Sequence, residues 1–113
     1  METTIELEKA ATILKLMGDK TRLTMLKMLE SNDYCVCEFV EIFKVSQPAV
    51  SQHVRKLKDA GLVNETRRGQ WIIYSLNKDN DFYPFMQSLI QHLPNQDFKL
   101  RELEEQGLRI SCN

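Results

Sequence analysis

The chain has 113 residues, of which 42% are hydrophobic and 27% charged, and its formal net charge at pH 7 is -1. A chain of this length fits one compact domain, and its composition excludes a disordered or fibrous protein. The apolar runs are too short to span a membrane, and the acidic, polar N-terminus lacks the pattern of a signal peptide. We therefore expect a cytoplasmic protein that makes no membrane contact.

The first part of the chain shows helical periodicity. Apolar residues spaced three and four apart predict a helix over residues 4–17, which ends at Gly18. Asp19 is placed to cap a second helix, and this helix runs to a turn-forming cluster at 31–33. A short third helix is predicted over residues 36–43.

A longer helix and a hairpin follow. Ser46 is a suitable N-cap for a fourth helix over residues 47–60, and Gly61 supplies the left-handed position that ends it. Two β-prone runs, 62–68 and 71–76, are joined by a two-residue link that contains glycine, which is typical of a hairpin. The tip of this hairpin is basic.

Helical spacing returns in the last part of the chain. It predicts a fifth helix over residues 79–93, in which Pro84 fits only within the first turn. Residues 96–106 show a weaker helical pattern, and residues 108–113 show none. No repeat or low-complexity linker divides the chain.

A helix, a three-residue turn, a second helix and a basic hairpin are the parts of a winged helix-turn-helix, in which the second helix enters the major groove of DNA. We therefore predict a mainly α fold with a small β-hairpin. Gln and Arg side chains can pair with base edges, and a basic wing can contact the phosphate backbone or the minor groove. The candidate DNA contacts are Gln47, Ser51, Gln52, His53, Arg55, Lys56, Arg67, Arg68 and Gln70. The alternative for each is a solvated surface residue, and for His53 a packed, hydrogen-bonded one.

Residues 46–57 (SQPAVSQHVRKL), 60–63 (AGLV) and 68–70 (RGQ) resemble the ArsR/SmtB family of metal-responsive repressors. The resemblance covers roughly residues 5–93. It implies a homodimer built on the first and fifth helices, which binds a palindromic operator in double-stranded DNA and blocks transcription. We accordingly expect a DNA-binding and dimerisation domain over residues 1–93 and a C-terminal extension after it, over 94–113. No arrangement of residues predicts an enzyme or an organic cofactor.

Cys35 and Cys37 stand at the start of the third helix, and residues 34–39 (YCVCEF) resemble the Cys-Val-Cys signature of the family's arsenic, antimony and cadmium/lead sensors. Thiolates prefer soft ions. A helix N-terminus lowers thiol pKa values, so we expect both groups to bind as thiolates. Residues two apart on a regular helix point to nearly opposite sides, so binding is expected to distort the third helix and misplace the fourth.

The third ligand of the ion stays open. Many arsenic sensors of the family carry a further cysteine one turn along, where this chain has Val40. Cys112, from either subunit, is one candidate, and a small-molecule ligand is another. The cadmium/lead sensors of the family draw further thiols from an N-terminal extension, and no cysteine precedes Cys35 in this chain. The resemblance therefore implies arsenite or antimonite as the inducer, with cadmium or lead as the alternative.

Two further interpretations concern other chemistry. Lys78 and Asn80 replace the first ligands of the zinc site that the resemblance implies for the fifth helix, so that site is expected to be absent, with His92 near one remaining position. The thiols could also serve as a redox switch of a DNA-binding protein, or lie in the core as small apolar residues.

Overall fold

The computed structural model describes residues 5–107. The elements in that part of the chain are α1 (Leu7–Met17), α2 (Lys20–Ser31), β1 (Tyr34–Cys35), α3 (Val36–Phe43), α4 (Gln47–Asp59), β2 (Val63–Arg68), β3 (Trp71–Leu76), α5 (Tyr83–Ile90) and α6 (Asp97–Glu105). The predicted order of helices and hairpin is confirmed. Of these helices, none has the length and apolar character needed to cross a membrane.

Local side chains fix the ends of the motif helices. The Asp19 carboxylate accepts a hydrogen bond from the Arg22 amide at 3.0 Å and so caps α2. Ser46 Oγ accepts from the Ala49 amide at 3.3 Å and caps α4. After α4 the chain turns at Gly61, whose φ of 80° is in the left-handed region, as the sequence predicts.

The three strands form an antiparallel sheet in the order β1-β3-β2. The hairpin β2–β3 turns at Gly69 and Gln70, and a positive φ at Gly69 alone matches a turn of type II′. Strand β1 was not predicted: Tyr34 pairs with Tyr74, and Cys35 with Ile73. This pairing anchors the start of α3 to the hairpin.

The predicted bounds of the fifth helix, 79–93, are wrong at both ends, because the helix spans Tyr83–Ile90. The helix begins at Tyr83 because the two preceding asparagines fold residues 77–82 into turns instead. Asn77 Oδ1 accepts from the Asp79 amide at 3.2 Å, and Asn80 Oδ1 accepts from the Phe82 amide at 3.0 Å. Pro84 lies in the first turn, as predicted.

The core lies between the helices and one face of the sheet. Its fully buried members include Met25, Leu26, Phe39, Val50 and Leu57. The weak helix predicted near the C-terminus is present as α6, and it buries Leu103 to 3% exposure. The part of the 94–113 extension that the structure describes therefore packs on the domain.

Candidate thiol and DNA-binding site

Helix α4 presents a polar face because its apolar face is fully used in the core. Val50, Val54 and Leu57 are buried. The outward side carries Gln47, Gln52, Arg55 and Lys56, which are exposed, and Ser51, which is half-buried. Together with the exposed hairpin residues Arg67, Arg68 and Gln70, these are the predicted DNA contacts, and the fold brings them to the surface of one helix and one wing.

His53 is different because a side chain of α2 holds its ring. Arg22 Nη1 lies 3.2 Å from His53 Nδ1, and Arg22 Nε donates to the Leu16 carbonyl at 2.8 Å. A guanidinium can only donate, so Nδ1 is the acceptor and the ring proton is on Nε2. His53 therefore has a packed, hydrogen-bonded role, and only Nε2 is left for a contact with DNA.

A second polar contact ties α4 to the hairpin. Glu65 on β2 accepts hydrogen bonds from the Tyr74 hydroxyl at 2.6 Å and from Lys58 Nζ at 3.1 Å. The Tyr74 hydrogen bond and then the Lys58 interaction hold the pKa of Glu65 below its ordinary value. Burial and the adjacent Glu65 raise the pKa of Tyr74, so its hydroxyl remains a donor. The sequence analysis did not predict this interaction among Glu65, Tyr74 and Lys58.

Cys35 is the last residue of β1 and the N-cap of α3, with an extended backbone (φ -95°, ψ 164°). Its amide donates to Glu38 Oε1 at 2.8 Å, and its sulfur accepts from the Glu38 amide, which completes a capping box. Cys35 and Glu38 are each 1% exposed. Cys37 follows in the first turn of α3 and is half-buried.

Two expectations about the thiols are wrong. Cys35 precedes the regular helix, so the two side chains do not point apart: both line one cleft. The helix N-terminus does not lower the pKa of Cys35 overall. Burial, then the hydrogen bond with Cys37 and the negative charge of Glu38, raise it, although the Glu38 amide acts in the opposite direction.

The cleft lies between the start of α3, the polar face of α4 and the hairpin, and has a volume of about 650 Å³. Gln47, Ser51 and Arg55 line it together with both thiols. The fold thus brings the predicted ligand-binding and DNA-reading residues into one site. Cys112 lies outside the described residues. Within residues 5–107, no group of three or more His, Cys, Asp or Glu side chains is placed to hold a metal ion.

The comparisons with known proteins agree with this architecture. Residues 19–65 match the model of a family described as bacterial regulatory protein, arsR family. An uncharacterized HTH-type transcriptional regulator of Methanocaldococcus jannaschii is 44% identical over 73 residues, which cover 64% of this chain and 82% of that protein. The chain belongs to the ArsR family. The arsenical resistance operon repressor of Staphylococcus aureus is 34% identical to this ArsR-family chain over 86 residues, 76% of this chain and 78% of the relative.

Solved structures of winged-helix regulators share the fold of this ArsR-family chain. HlyU from Vibrio cholerae superposes with a TM-score of 0.66 at 32% identity, over 77% of this chain and 96% of that one. The transcriptional repressor PagR of Bacillus anthracis superposes with a TM-score of 0.63 at 29% identity, over 78% and 95%. The family and these relatives are transcriptional regulators and not enzymes, as the sequence predicts.

Proposed function

We propose that the chain is a cytoplasmic repressor that binds operator DNA as a homodimer and releases it when arsenite or antimonite binds Cys35 and Cys37. The observation that carries this proposal is the shared cleft: both thiols and the α4 side chains Gln47, Ser51 and Arg55 line it. Relatives that are 34% and 36% identical are named arsenical resistance operon repressors, which supports an ion of this class.

The homodimer is supported by apolar surface on the two helices that the family resemblance assigns to dimerisation. Leu7 and Leu14 on α1 are 87% and 47% exposed, and Leu89 on α5 is 40% exposed. Leu7 and Leu14 are two helical turns apart and share one face of α1, and an exposed apolar face of this kind is typical of a protein interface. A second copy of the chain would cover them.

Binding would proceed by ligand exchange at arsenic. Arsenite in neutral water is As(OH)₃, and each protein thiol replaces one hydroxide as its proton leaves with that hydroxide in a water molecule. Binding takes the Cys35 sulfur out of the capping box with Glu38, which weakens the start of α3. Ion and operator then favour different conformations, and a coupling of about 1–3 kcal/mol lowers DNA affinity about 5–150-fold.

The test is an anaerobic titration of the reduced full-length protein. A fluorescent duplex, selected by the protein from a random-sequence library, reports operator binding by anisotropy while arsenite or antimonite is added. The variant in which Cys35 and Cys37 are both serine should bind the duplex with unchanged affinity and should not respond. Cys112→Ser is the matched control: a lost response assigns Cys112 as the third ligand, and a retained response excludes it. If the double variant still releases DNA on addition of arsenite, the proposal is wrong.

Oxidation of the same thiols is a second candidate, favoured by the position of Cys35 and Cys37 in one cleft. Hydrogen peroxide could oxidise the pair to a disulfide, with two molecules of water as the other product. Release of the duplex by peroxide, without any effect of arsenite, would support this redox switch. Release by cadmium or lead in place of arsenite would support a repressor for those metals.

A further inference from the structure

A second groove lies between α2, the end of α3 and the link from α5 to α6, and it shares no lining residue with the thiol cleft. Its volume of about 670 Å³ lies in the range of small-molecule sites, about 300–1,000 Å³. Much of its lining is apolar and comes from all three segments: Leu23, Ile42, Phe43, Leu93 and Pro94.

The charged part of the lining is entirely basic. Lys20 and Lys27 of α2 and Lys99 of α6 line the groove, and no Asp or Glu side chain of the described chain does. Glu30 compensates Lys27, because its Oε1 lies 2.7 Å from Lys27 Nζ. Lys20 and Lys99 pair with no described carboxylate, and Lys99 Nζ instead lies 4.9 Å from the centre of the Phe98 ring. The groove therefore presents two uncompensated positive charges in a chain whose net charge is -1.

The end of the chain builds one wall of the groove. Helix α6 packs against α3, and its Leu100 contacts the core. This packing brings Gln96 and Lys99 opposite the face of α2 that lines the groove. Both residues lie well beyond the segment 19–65 that matches the family model, so the site is not made by the helix-turn-helix motif alone.

A groove with an apolar floor and unpaired lysines is complementary to a molecule that has a negative head group and an apolar body. We propose that it binds an amphipathic organic anion, a carboxylate with an aliphatic body. The head group pairs with Lys20 and Lys99, and the body covers the apolar lining. Along α2 the lining runs from Lys20 to Lys27, about 10 Å, which suits a small molecule and is short for an acidic peptide.

The position of the groove relates it to the DNA-reading helix. Ile42 and Phe43 are the last two residues of α3, and only two residues separate them from Ser46, which caps α4. An occupant of the groove therefore contacts the helix pair of the motif from outside the thiol cleft. The inference goes beyond the proposed function, because it needs neither thiol.

The test is an NMR titration of the reduced, ¹⁵N-labelled full-length protein with octanoate. We expect saturable shifts of amide signals at groove residues such as Leu23, Ile42 and Leu93. Two further ligands separate the parts of the recognition: 1-octanol has the body without the charge, and acetate has the charge without the body. Each should bind at least tenfold more weakly than octanoate.

Substitutions locate the head group and the body. Lys20→Gln combined with Lys99→Gln should weaken octanoate about tenfold or more and leave 1-octanol unchanged. Lys78→Gln is the matched control, because Lys78 is an exposed lysine outside the groove, and it should change neither ligand. Leu93→Trp fills the apolar part and should weaken both octanoate and 1-octanol, while circular dichroism checks that each variant is folded.

The outcomes separate this site from the proposed function. The variant in which Cys35 and Cys37 are both serine should bind octanoate with unchanged affinity, and a loss there would overturn the inference by placing the ligand in the thiol cleft. The inference is also wrong if octanoate gives no saturable shift at the groove, or if the double lysine variant binds it as tightly as Lys78→Gln does. Each of these results is independent of whether arsenite releases DNA.

Discussion

Tyr74→Phe tests the hydrogen bond within the hairpin that holds Glu65, the residue whose ion pair with Lys58 joins the hairpin to α4. The Tyr74 hydroxyl donates to Glu65 Oε1 at 2.6 Å, and Lys58 Nζ donates to the other carboxylate oxygen at 3.1 Å. The ring of Tyr74 is buried to 5% exposure, so phenylalanine keeps its packing and removes only the hydroxyl. A hydrogen bond to a charged group contributes about 1.5–3 kcal/mol. Because the Glu65 side chain is 33% exposed and water can replace the hydroxyl, we expect a loss at or just below the lower end of that range, about 1–1.5 kcal/mol.

The same contact predicts the pH dependence of that loss. The folded protein holds the pKa of Glu65 below its ordinary value of 4.5, first through Tyr74 and then through Lys58. A carboxylate whose pKa is lowered by folding adds stability above its unfolded pKa, and this stability is lost as the pH falls through the folded pKa. The difference between wild type and Tyr74→Phe should therefore be full at pH 7 and shrink below the ordinary pKa of Glu65.

Urea unfolding followed by circular dichroism at pH 7 and in acid measures this difference, and carboxyl NMR titration should show a higher pKa for Glu65 in the variant. Glu65→Gln supplies the second arm of a double-mutant cycle. In the Glu65→Gln background, Tyr74→Phe should lower the free energy of unfolding by less, because the hydroxyl then donates to a neutral amide instead of a carboxylate. A cost that is equal in both backgrounds and independent of pH would refute the reasoning.

Four further substitutions test how the chain is folded around the site. Gly61→Ala forces a left-handed φ of 80° on a residue with a Cβ, which would lie 2.5 Å from Asn80 Nδ2, so urea unfolding should show a loss of about 2–3 kcal/mol. Gly69→Ala, at φ 61° with nothing within 4 Å of its Cβ, should cost only the backbone part, about 1–2 kcal/mol. Lys44→Gly relieves a left-handed φ of 56° between α3 and α4, so the unfolding free energy should rise by about 1 kcal/mol. Leu103→Ala should lower it by about 2 kcal/mol, and no loss would contradict the packing of α6 on the domain.

The helices that sequence patterns predicted well are those with local signals at their ends. Asp19 and Ser46 cap α2 and α4 with their own side chains, and Gly61 ends α4 with a positive φ. Strand β1 has no such signal. Two residues are too few to show alternation, and what makes them a strand is their pairing with β3, far along the chain. The predicted start of α5 was wrong for a local reason: Asn77 and Asn80 form turns in a segment whose apolar spacing is typical of a helix.

The features of the candidate site also fall into those that the sequence predicts and those that it does not. The polar face of α4 could be predicted, because helical spacing alone decides which side chains oppose Val50 and Val54. Contacts between distant elements could not be predicted. Arg22 reaches His53 from one helix to another, and no spacing within either helix indicates this pair. Glu65 and Tyr74 differ, because the two-residue turn of the predicted hairpin sets the register that places them opposite each other.

Under the proposed function, the position of Cys35 explains how one sulfur can affect the whole of the predicted DNA-binding surface. Its backbone belongs to two structures, because it pairs with Ile73 of the hairpin and caps the first helix of the motif. A cap alone does not require sulfur: serine is among the preferred N-cap residues, and a thiol is only a weak acceptor. Under the proposed function, the weaker cap is an advantage, because a soft ion then competes for a sulfur that the helix holds loosely. An ion that draws the Cys35 sulfur out of the cap would therefore disturb α3 and β3 together, whereas an ion bound to Cys37 would disturb α3 alone.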